Sequence, residues 1–441
     1  MKKIIALILA VMMLALCLAG CGSKPALAPE APSAGGDEPA EPTSDPIEIV
    51  YWHTYTDHHQ ENLKLIIDKF NASQDKYVVI EQQQPYSEFD AKLLQSVSTG
   101  TGPDFAPMFA STAVNYKEDG YLYDFAQFIN DPEIGIPDFK DQLAEGYYNE
   151  ITQWGGDGIY LFPILFGSEV LYYNKTMLDG VGMDVPTTWE ELADVSKAIK
   201  AEYGVPGFGT DSEIDTFQGW MIQSGSDYID VANKQIAIDK DTAIEWLNWY
   251  AQGCSEGYFR LVGEDYYFSG PFDSQAVGMY VGSAAGVGYV LAGIPAEGED
   301  GYFEVGCAPI PQGDVKYISS WGSTVACLSK DAEHAQGVYE FLKFMTRPEQ
   351  LVDWAIAFGT VPAFRDSVED ARFQDQMNSN IAVKALVEEY DYANYLPAVL
   401  GADTVRNTIE EMFLSVVLGT ADAETAFDNF VAAANAAMND Y

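Results

Sequence analysis

One motif in this 441-residue sequence has the letters of a catalytic nucleophile. Residues 253–257 read G-C-S-E-G, which matches the G-x-S-x-G pattern of a nucleophile elbow. Such an elbow needs a strand before its serine, whereas an amphipathic, helix-like segment, Thr242–Tyr250, precedes this one. The motif is therefore interpreted as a glycine-rich helix end. Because the sequence also lacks a P-loop and a dinucleotide-binding glycine fingerprint, we predict a protein that is not an enzyme and holds no cofactor.

Three histidines, His53, His58 and His59, are close together in the sequence and raise the question of a metal site. His58 and His59 are neighbours at the expected first turn of a helix, so their side chains face different directions. We predict no metal site, with metal capture by these three residues as the alternative. His53 lies in the loop after the first expected strand, where it either contacts a ligand or is satisfied by loop backbone.

Aromatic residues in turn-like contexts give the stronger functional signal. Tyr55, Tyr86, Trp220 and Trp321 lie outside the periodic apolar runs. Flat aromatic rings bury the apolar face of a pyranose, while carboxylate, amide and hydroxyl groups bond its hydroxyls. These residues favour carbohydrate binding, and core packing is the alternative for each of them.

The charge balance excludes several classes of protein. The sequence contains 67 Asp and Glu against 23 Lys and Arg, a formal net charge of −44, and 48% of its residues are hydrophobic. So acidic a surface repels phosphate backbones and anionic lipid headgroups, which excludes a nucleic-acid-binding protein. The apolar fraction is sufficient for cores of ordinary domain size. The composition therefore predicts a large, soluble, acidic globular protein.

The N-terminus has the features of an export signal. A basic start precedes an unbroken apolar run, Ile4–Ala19, that ends in L-A-G-C and resembles the lipobox of bacterial lipoproteins. We predict that residues 1–20 are a lipoprotein signal peptide and that Cys21 is the lipidated N-terminus; a plain signal peptide is the alternative. Residues 21–46 contain six prolines and are predicted to be a disordered, Pro-rich linker. The protein would then be lipid-anchored to the outer face of the cytoplasmic membrane, extracellular or periplasmic.

Beyond the linker, β-rich runs alternate with helical periodicity. Strands are expected at Ile47–Tyr51, Tyr77–Glu81 and Phe105–Phe109, and a second α/β unit begins near Ile159. This alternation predicts parallel α/β packing, in which ligands bind at the carboxyl ends of strands. The loops after the three strands are therefore expected at the functional edge, with the side chains of His53, Thr54, Tyr55, Tyr86, Ser111 and Thr112.

Two helices have clear local signals. Apolar residues recur at i, i+3, i+4 and i+7 from Leu63 to Phe70, which indicates an amphipathic helix. Thr188 and Glu191 have the spacing of a capping box, which predicts that a helix begins there and continues through Ile199.

The order of several motifs resembles that of the extracellular solute-binding proteins of ABC importers, the family that includes the maltose-binding and glycerol-3-phosphate-binding proteins. The matching stretches span about residues 47–440. They are T-G-T-G-P-D at 99–104, Y-L-F-P at 160–163, L-Y-Y-N-K at 171–175, P-T-T-W-E-E-L at 186–192, S-G-S-D-Y-I-D at 224–230, A-V-G-M at 276–279, P-I-P at 309–311, W-G-S at 321–323, Y-E-F-L-K-F at 339–344 and L-G-T at 418–420.

This resemblance implies an α/β fold of the two-lobe, type II periplasmic-binding-protein kind, with hinge strands and a central ligand cleft. Lobe 1 would comprise residues 47–164 plus 318–362, and lobe 2 residues 165–317 plus 363–441. The crossings between lobes are expected near Pro163–Ser168, Tyr317–Trp321 and Thr360–Ala363. Closure of the lobes over a solute would couple binding to docking on the ABC permease subunits.

The resemblance also implies a set of ligand-binding positions. Trp220 is added to that set from its own sequence context. The predicted ligand-binding residues are His53, Tyr55, Tyr86, Ser111, Gly167, Ser168, Trp220, Ser283, Trp321, Gly322 and Asp403.

The predicted solute is a carbohydrate, either a mono- or an oligosaccharide. The glycerol-3-phosphate branch of the family uses a late arginine for the phosphate, and the corresponding region, Tyr395–Gly401, contains none. A buried phosphate without a cation is costly, which favours a neutral sugar. A receptor for a glycerol-phosphate-type or other polar solute is one alternative, and a surface-tethered glycoside hydrolase is another. The protein is expected to act as a monomer.

Overall fold

The computed structural model of the protein describes residues 45–329 and 331–440, without the side chain of Asp403. The predicted signal peptide (residues 1–20), the lipidated Cys21 and nearly all of the predicted linker lie outside the described residues. From Pro46 onward, the chain forms one compact unit.

The described residues form strands and helices in alternation. The strands are β1 (Ile47–His53), β2 (Tyr77–Gln83), β3 (Phe105–Pro107), β4 (Phe162–Phe166), β5 (Glu169–Asn174), β6 (Phe208–Thr210), β7 (Ile229–Asp230), β8 (Gln235–Ile236), β9 (Met279–Ser283), β10 (Val305–Ala308), β11 (Ile318–Ser319), β12 (Ser323–Cys327), β13 (Val361–Pro362) and β14 (Ala393–Asn394). The helices of the first half are α1 (Asp57–Ser73), α2 (Phe89–Ser98), α3 (Ala110–Glu118), α4 (Ala126–Ile129), α5 (Glu145–Thr152), α6 (Lys175–Val181), α7 (Trp189–Tyr203) and α8 (Glu213–Gln223). Those of the second half are α9 (Lys240–Glu256), α10 (Ser269–Asp273), α11 (Val287–Gly293), α12 (Ala332–Met345), α13 (Pro348–Phe358), α14 (Arg365–Val368), α15 (Ala371–Ser379), α16 (Ile381–Glu389), α17 (Ala402–Val417) and α18 (Ala423–Asn439).

The first lobe is built on a six-stranded sheet with the order β13-β4-β12-β3-β1-β2. β1 pairs in parallel with β2 along its whole length, from Ile47 opposite Tyr77 to His53 opposite Gln83. Helix α1 covers this pair with the apolar face that its periodicity predicted, because Leu63, Ile66, Ile67 and Phe70 are all buried. The parallel α/β packing predicted for this region is therefore confirmed.

The second lobe is built on a four-stranded sheet with the order β10-β5-β9-β6. Helix α7, which follows β5 and α6, begins at the predicted capping box: Thr188 accepts a hydrogen bond from the Glu191 backbone N–H, and the Glu191 side chain accepts one from Thr188. Gly204 ends the helix in the left-handed conformation that a glycine adopts without strain. Helices α17 and α18 pack on each other and against α9 on this lobe.

The chain passes between the two sheets three times. The first passage, Gly167–Ser168, joins β4 of the first sheet to β5 of the second. The second, residues 309–322, leads from β10 back to β12 and contains β11. The third follows β13 and ends in α16, which packs on β5 and β10. These passages give the fold two α/β lobes connected at a hinge.

Within the described parts of the chain, no helix has both the length and the apolarity needed to cross a membrane.

Candidate functional site

Strand directions place the carboxyl ends of the first sheet at one edge. β12 is antiparallel to both β3 and β4, so β3 and β4 run in the same direction. β3 is parallel to β1, and β1 is parallel to β2. The four strands therefore end at a common edge, and Gly167 leaves β4 from that edge toward the second sheet.

In the second sheet, the carboxyl ends of β6 and β9 lie near the same passage, Gly167–Ser168. β9 is antiparallel to β5, so its last residue, Ser283, lies opposite Glu169, the first residue of β5. β6 is parallel to β9 and ends beside it. The carboxyl edges of both sheets thus meet at the hinge, and such an edge is where open α/β sheets bind ligands. We call them the lobe 1 edge and the lobe 2 edge.

Hydrogen bonds across the hinge bring three of the predicted site residues together. The Ser168 hydroxyl donates to the carbonyl oxygen of Ser319 at 2.7 Å. The backbone N–H of Trp321 donates to the carbonyl oxygen of Gly167 at 2.9 Å, and that of Ala284 donates to Ser168 at 3.1 Å. Gly167 and Trp321 are half-buried, whereas Ser168 is buried. The first and second passages are therefore fixed to each other at the hinge.

Gly322 has a packing reason to be glycine. A Cβ atom at this position would lie 2.3 Å from the ring of Tyr147. The Tyr147 hydroxyl donates to the carbonyl oxygens of Leu165 at 3.0 Å and Ser323 at 3.2 Å, so this ring connects β4 to β12 just before the hinge. A side chain at Gly322 would displace that contact.

His53 and Tyr55 are held inside the lobe 1 edge. The His53 Nδ1 accepts from the backbone N–H of Tyr55 at 3.2 Å, which leaves the proton on Nε2 to donate to Glu81 at 2.6 Å. Burial lowers the pKa of His53 despite the nearby carboxylate, so the neutral ring suits both bonds. The Tyr55 ring stacks on His53 and meets Trp354 edge-on, and burial raises the pKa of Tyr55 to about 12. Both ring nitrogens of His53 are thus used within the lobe.

The other predicted residues have different surroundings. Tyr86 lies on a 3-10 turn after β2 and is 83% exposed. Ser111 is half-buried in the first turn of α3. Ser283 is half-buried at the end of β9, where its carbonyl oxygen accepts from the Tyr172 hydroxyl at 3.0 Å. Asp403 belongs to α17, and its side chain lies outside the described part of the structure.

Trp220 lies in the interior of lobe 2 and not in a turn. It belongs to helix α8, and its ring is completely buried. The ring stacks on Trp246 with centroids 4.9 Å apart and meets Trp189 edge-on at 5.6 Å. The expected turn-like context of Trp220 was therefore wrong, because α9 and α17 pack over the face of α8 that carries it.

Arg406 is a charged residue of the lobe 2 region that the sequence reasoning missed. Its guanidinium donates to both carboxylate oxygens of Asp215, at 2.8 and 3.1 Å, and to the Gln218 side chain at 3.3 Å. Arg406 lies five residues beyond Tyr395–Gly401, the segment that corresponds to the phosphate-binding arginine of the glycerol-3-phosphate branch. Its carboxylate partner is 191 residues away in the sequence, so no local spacing indicated the pair.

Carboxyl groups dominate the lobe 2 edge. Glu169 is buried, and its Oε1 atom has no hydrogen-bond partner among the described residues. Burial, followed by the charges of Asp215 and Asp211, raises the pKa of Glu169 well above its usual range. Burial also raises the pKa of Asp211 to about 6 and that of Glu213 to about 7. Glu169 lines a small cavity with Tyr317, whose hydroxyl also has no partner among the described residues.

The described residues give little support to a metal site or to a nucleophile elbow. Within them, no three His, Cys, Asp or Glu side chains are grouped to hold a metal ion. His59 Nε2 lies 3.2 Å from the carbonyl oxygen of Ala357. Ser255 of the G-x-S-x-G motif belongs to α9, which ends at Gly257 with a positive φ of 78°. The interpretation of this motif as a helix end is confirmed.

Two α/β lobes whose carboxyl edges meet at three connecting passages define the two-lobe, type II fold of periplasmic binding proteins. Solved structures with this fold include the cyclic α-maltosyl-1,6-maltose binding protein of Arthrobacter globiformis, with a TM-score of 0.78 and 22% identity, covering 90% of this chain and 100% of that one. The sugar-binding protein MalE of Xanthomonas citri has a TM-score of 0.77 and 16% identity, covering 89% of this chain and 98% of that one.

The sequence comparisons identify the family. Residues 66–384 match the family described as bacterial extracellular solute-binding protein, and the chain belongs to it. The sn-glycerol-3-phosphate-binding periplasmic protein UgpB of Brucella abortus is 26% identical, covering 89% of this chain and 93% of that protein. UgpB of Escherichia coli K12 is 22% identical, covering 88% and 91%. These relatives are binding proteins and not enzymes, and the predicted family and fold are confirmed.

Proposed function

We propose that this protein captures a neutral carbohydrate between its lobes and delivers it to an ABC permease. The chemistry of the lobe 2 edge carries the proposal. Arg406 is engaged by both oxygens of Asp215, and the groups around them are the carboxyls Glu169 and Asp211. A phosphate that entered here would meet acidic groups before a free cation, whereas sugar hydroxyls donate to carboxylates and accept from protonated ones.

The hinge supplies the means of capture. Ser168 and Trp321 belong to the two passages that are hydrogen-bonded to each other at the cleft floor. Rotation of the lobes about these passages would close both edges over a bound sugar, and the closed form would be the one that the permease recognises. The ring of Trp321, a half-buried residue, would then cover one face of a pyranose.

The proposal includes the placement of the protein at the cell surface. A lipid on Cys21 and the proline-rich residues 21–46 would hold the two lobes, as a monomer, above the outer face of the cytoplasmic membrane. The proposed lobe limits are 47–164 plus 318–362 and 165–317 plus 363–441, except that β4 carries lobe 1 as far as Phe166. The lipobox-like L-A-G-C sequence supports the anchor.

A glycerol-phosphate-type solute is the second candidate. Two observations favour it: the relatives named UgpB bind sn-glycerol-3-phosphate, and Arg406 lies close to the lobe 2 edge. For Arg406 to bind a phosphate, Asp215 would have to release it or become protonated.

Isothermal titration calorimetry on residues 22–441 tests both candidates. The panel contains neutral mono- and oligosaccharides, glycerol and sn-glycerol-3-phosphate, and each oligosaccharide is recovered afterward and sized. We expect heat only from a carbohydrate, which is recovered at its original length. Binding of sn-glycerol-3-phosphate without binding of any sugar would refute the carbohydrate proposal, and shortened sugars would establish a hydrolase.

The variant Trp321→Ala sharpens this test. Loss of a buried aromatic contact should weaken sugar binding by more than about 1 kcal/mol. Trp321→Phe is the matched control, because it keeps an aromatic ring at the hinge and should retain most of the affinity. If a correctly folded Trp321→Ala variant binds as tightly as the wild type, Trp321 does not contact the solute.

A further inference from the structure

Exposed aromatic rings gather at the two carboxyl edges of the sheets. Seven aromatic residues of the described chain are exposed. Three of them, Tyr86, Phe109 and Tyr289, follow β2, β3 and β9, and two, Tyr266 and Tyr267, precede Phe268, whose backbone contacts the end of β6. The other two, Tyr203 and Tyr302, lie elsewhere. We call the five the aromatic rim: Tyr86 (83% exposed), Phe109 (60%), Tyr266 (81%), Tyr267 (67%) and Tyr289 (79%).

We propose that the solute is an oligosaccharide of three or more units whose outer units stack on the aromatic rim. This proposal rests on the carbohydrate function proposed above. A single pyranose occupies one or two ring faces, so the cleft floor with Trp321 is sufficient for one unit. Five further rings, divided between the two lobes, offer more stacking surface than one unit can cover.

The lobe 1 part of the rim is placed by two strand ends. Tyr86 begins the 3-10 turn that follows β2, and Pro85 before it fixes an extended backbone. Phe109 is the N-cap residue of α3, directly after β3. Both residues therefore leave the sheet at the edge from which Gly167 crosses to lobe 2.

The lobe 2 part of the rim is carried by a segment that runs along β6. Phe259 pairs in parallel with Phe208, and the backbone N–H of Phe268 donates to the Asp211 carboxylate at 2.6 Å, just beyond the end of β6. Tyr266 and Tyr267 immediately precede Phe268 and so lie at the carboxyl end of β6. Tyr289 lies on α11, shortly after the end of β9.

The backbone of Tyr266 is held in an unusual conformation. Its φ of 64° and ψ of −37° are unfavourable for a residue with a Cβ, although its side chain is exposed and gains no core packing. Neighbouring contacts maintain it: Asp265 forms an ion pair with Arg260 and accepts a hydrogen bond from Tyr267 N–H at 2.8 Å. Strain that persists at an exposed aromatic side chain is typical of ligand-holding loops.

The composition of the rim favours a sugar over a protein partner. Residues 263–267 are all exposed, and the two tyrosines follow the carboxylates of Glu264 and Asp265. Rings beside hydrogen-bonding groups match the apolar faces and hydroxyl edges of sugar units. A protein-docking surface would instead show a contiguous apolar patch.

The proposal is tested by measuring the affinity of the protein for neutral glucose oligomers of one to seven units, both α- and β-linked. The wild type is compared with the double variant Tyr266→Asn/Tyr267→Ala. Asparagine tolerates a positive φ, so this double variant should keep the loop and the melting temperature of the wild type. We expect the affinity for the best oligomer to fall by about fivefold or more, as for the loss of aromatic stacking, with little change for the mono- and disaccharide. Tyr203→Ala/Tyr302→Ala is the matched control and should bind as the wild type.

Two results would overturn the proposal while leaving the carbohydrate function intact: a monosaccharide that binds as tightly as every oligomer, or a rim variant with unchanged affinity at every length. If the rim variant binds normally but cells that carry it take up less sugar, the rim contacts the permease and not the sugar. If no sugar binds and sn-glycerol-3-phosphate does, the carbohydrate function fails together with the rim.

Discussion

The charged groups at the two edges that meet at the hinge have contrasting surroundings. At the lobe 1 edge, Glu81 accepts from His53 at 2.6 Å and from Gln60 at 3.3 Å, and pairs with Lys64 at 3.2 Å. Burial alone would raise the pKa of Glu81, but these hydrogen bonds together lower it. Glu81 at the lobe 1 edge is therefore hydrogen-bonded and paired with a cation before any solute arrives.

The lobe 2 edge has an excess of carboxyl groups. Only Asp215 among the four nearest carboxyls is paired with Arg406, whereas burial raises the pKa values of Glu169, Asp211 and Glu213. Buried carboxyls without cations are neutral or costly, and a solute rich in hydroxyls can hydrogen-bond to either form. We therefore expect lobe 1 to provide a preformed surface and lobe 2 to determine which solutes are accepted.

The largest effect is expected from breaking the ion pair between Arg406 and the buried Asp215 at the lobe 2 edge. Arg406→Met should lower the free energy of unfolding by about 3 kcal/mol, because Asp215 would remain buried without its cation. Thermal or urea unfolding measures the loss. Lys175→Met is the matched control: its pairs with Asp179 and Glu304 are exposed and should contribute less than about 1 kcal/mol. Equal losses in the two variants would show that Asp215 is not effectively buried.

A smaller effect is expected from the pH response, to which Glu213 of lobe 2 and His53 of lobe 1 contribute with opposite signs. The folded protein binds the Glu213 proton more tightly than the unfolded chain, so this group makes stability fall as pH rises from about 4.5 to about 7. His53, whose pKa is lowered by burial, acts in the opposite direction and makes stability fall as pH decreases below about 6.5.

The variant Glu213→Gln isolates the lobe 2 contribution. It should flatten the decline of stability between about pH 4.5 and 7 by at most about 3 kcal/mol, because the amide has no proton to lose in that range. Urea unfolding across this range measures the slope. Glu190→Gln, at an exposed position in the first turn of α7, is the control and should leave the slope unchanged. A wild-type slope in Glu213→Gln would mean that Glu213 is ionised normally in the folded protein.

The parts of the fold that were predictable from the sequence depend on neighbours in the chain. The capping box of Thr188 and Glu191 and the apolar face of α1 involve residues three or four positions apart, and the structure has both. Trp220 was misjudged because its burial depends on α9 and α17, which no local pattern connects to α8.

The cleft chemistry was less predictable for the same physical reason. Asp215 and Arg406 are 191 residues apart, and only the packing of α17 against α8 brings them together. The strand–helix alternation indicated which loops share the lobe 1 edge, but it carried no information on which side chains would be satisfied inside the lobe. Glu81, the partner of His53, lies on β2 and not in any of those loops.

The smallest effect is expected at His53, and it tests the comparison most directly. Both ring nitrogens are bonded within lobe 1, so His53→Gln should cost about 1 kcal/mol of stability and leave sugar affinity unchanged. The matched lobe 2 variant, Glu169→Gln, replaces the carboxyl whose Oε1 has no partner within the described residues, and should change the affinity severalfold, about 1 kcal/mol. Calorimetry on both variants measures the difference. An affinity loss confined to His53→Gln would reverse the roles of the two edges, because the solute would then compete with Glu81 or Tyr55 for the imidazole.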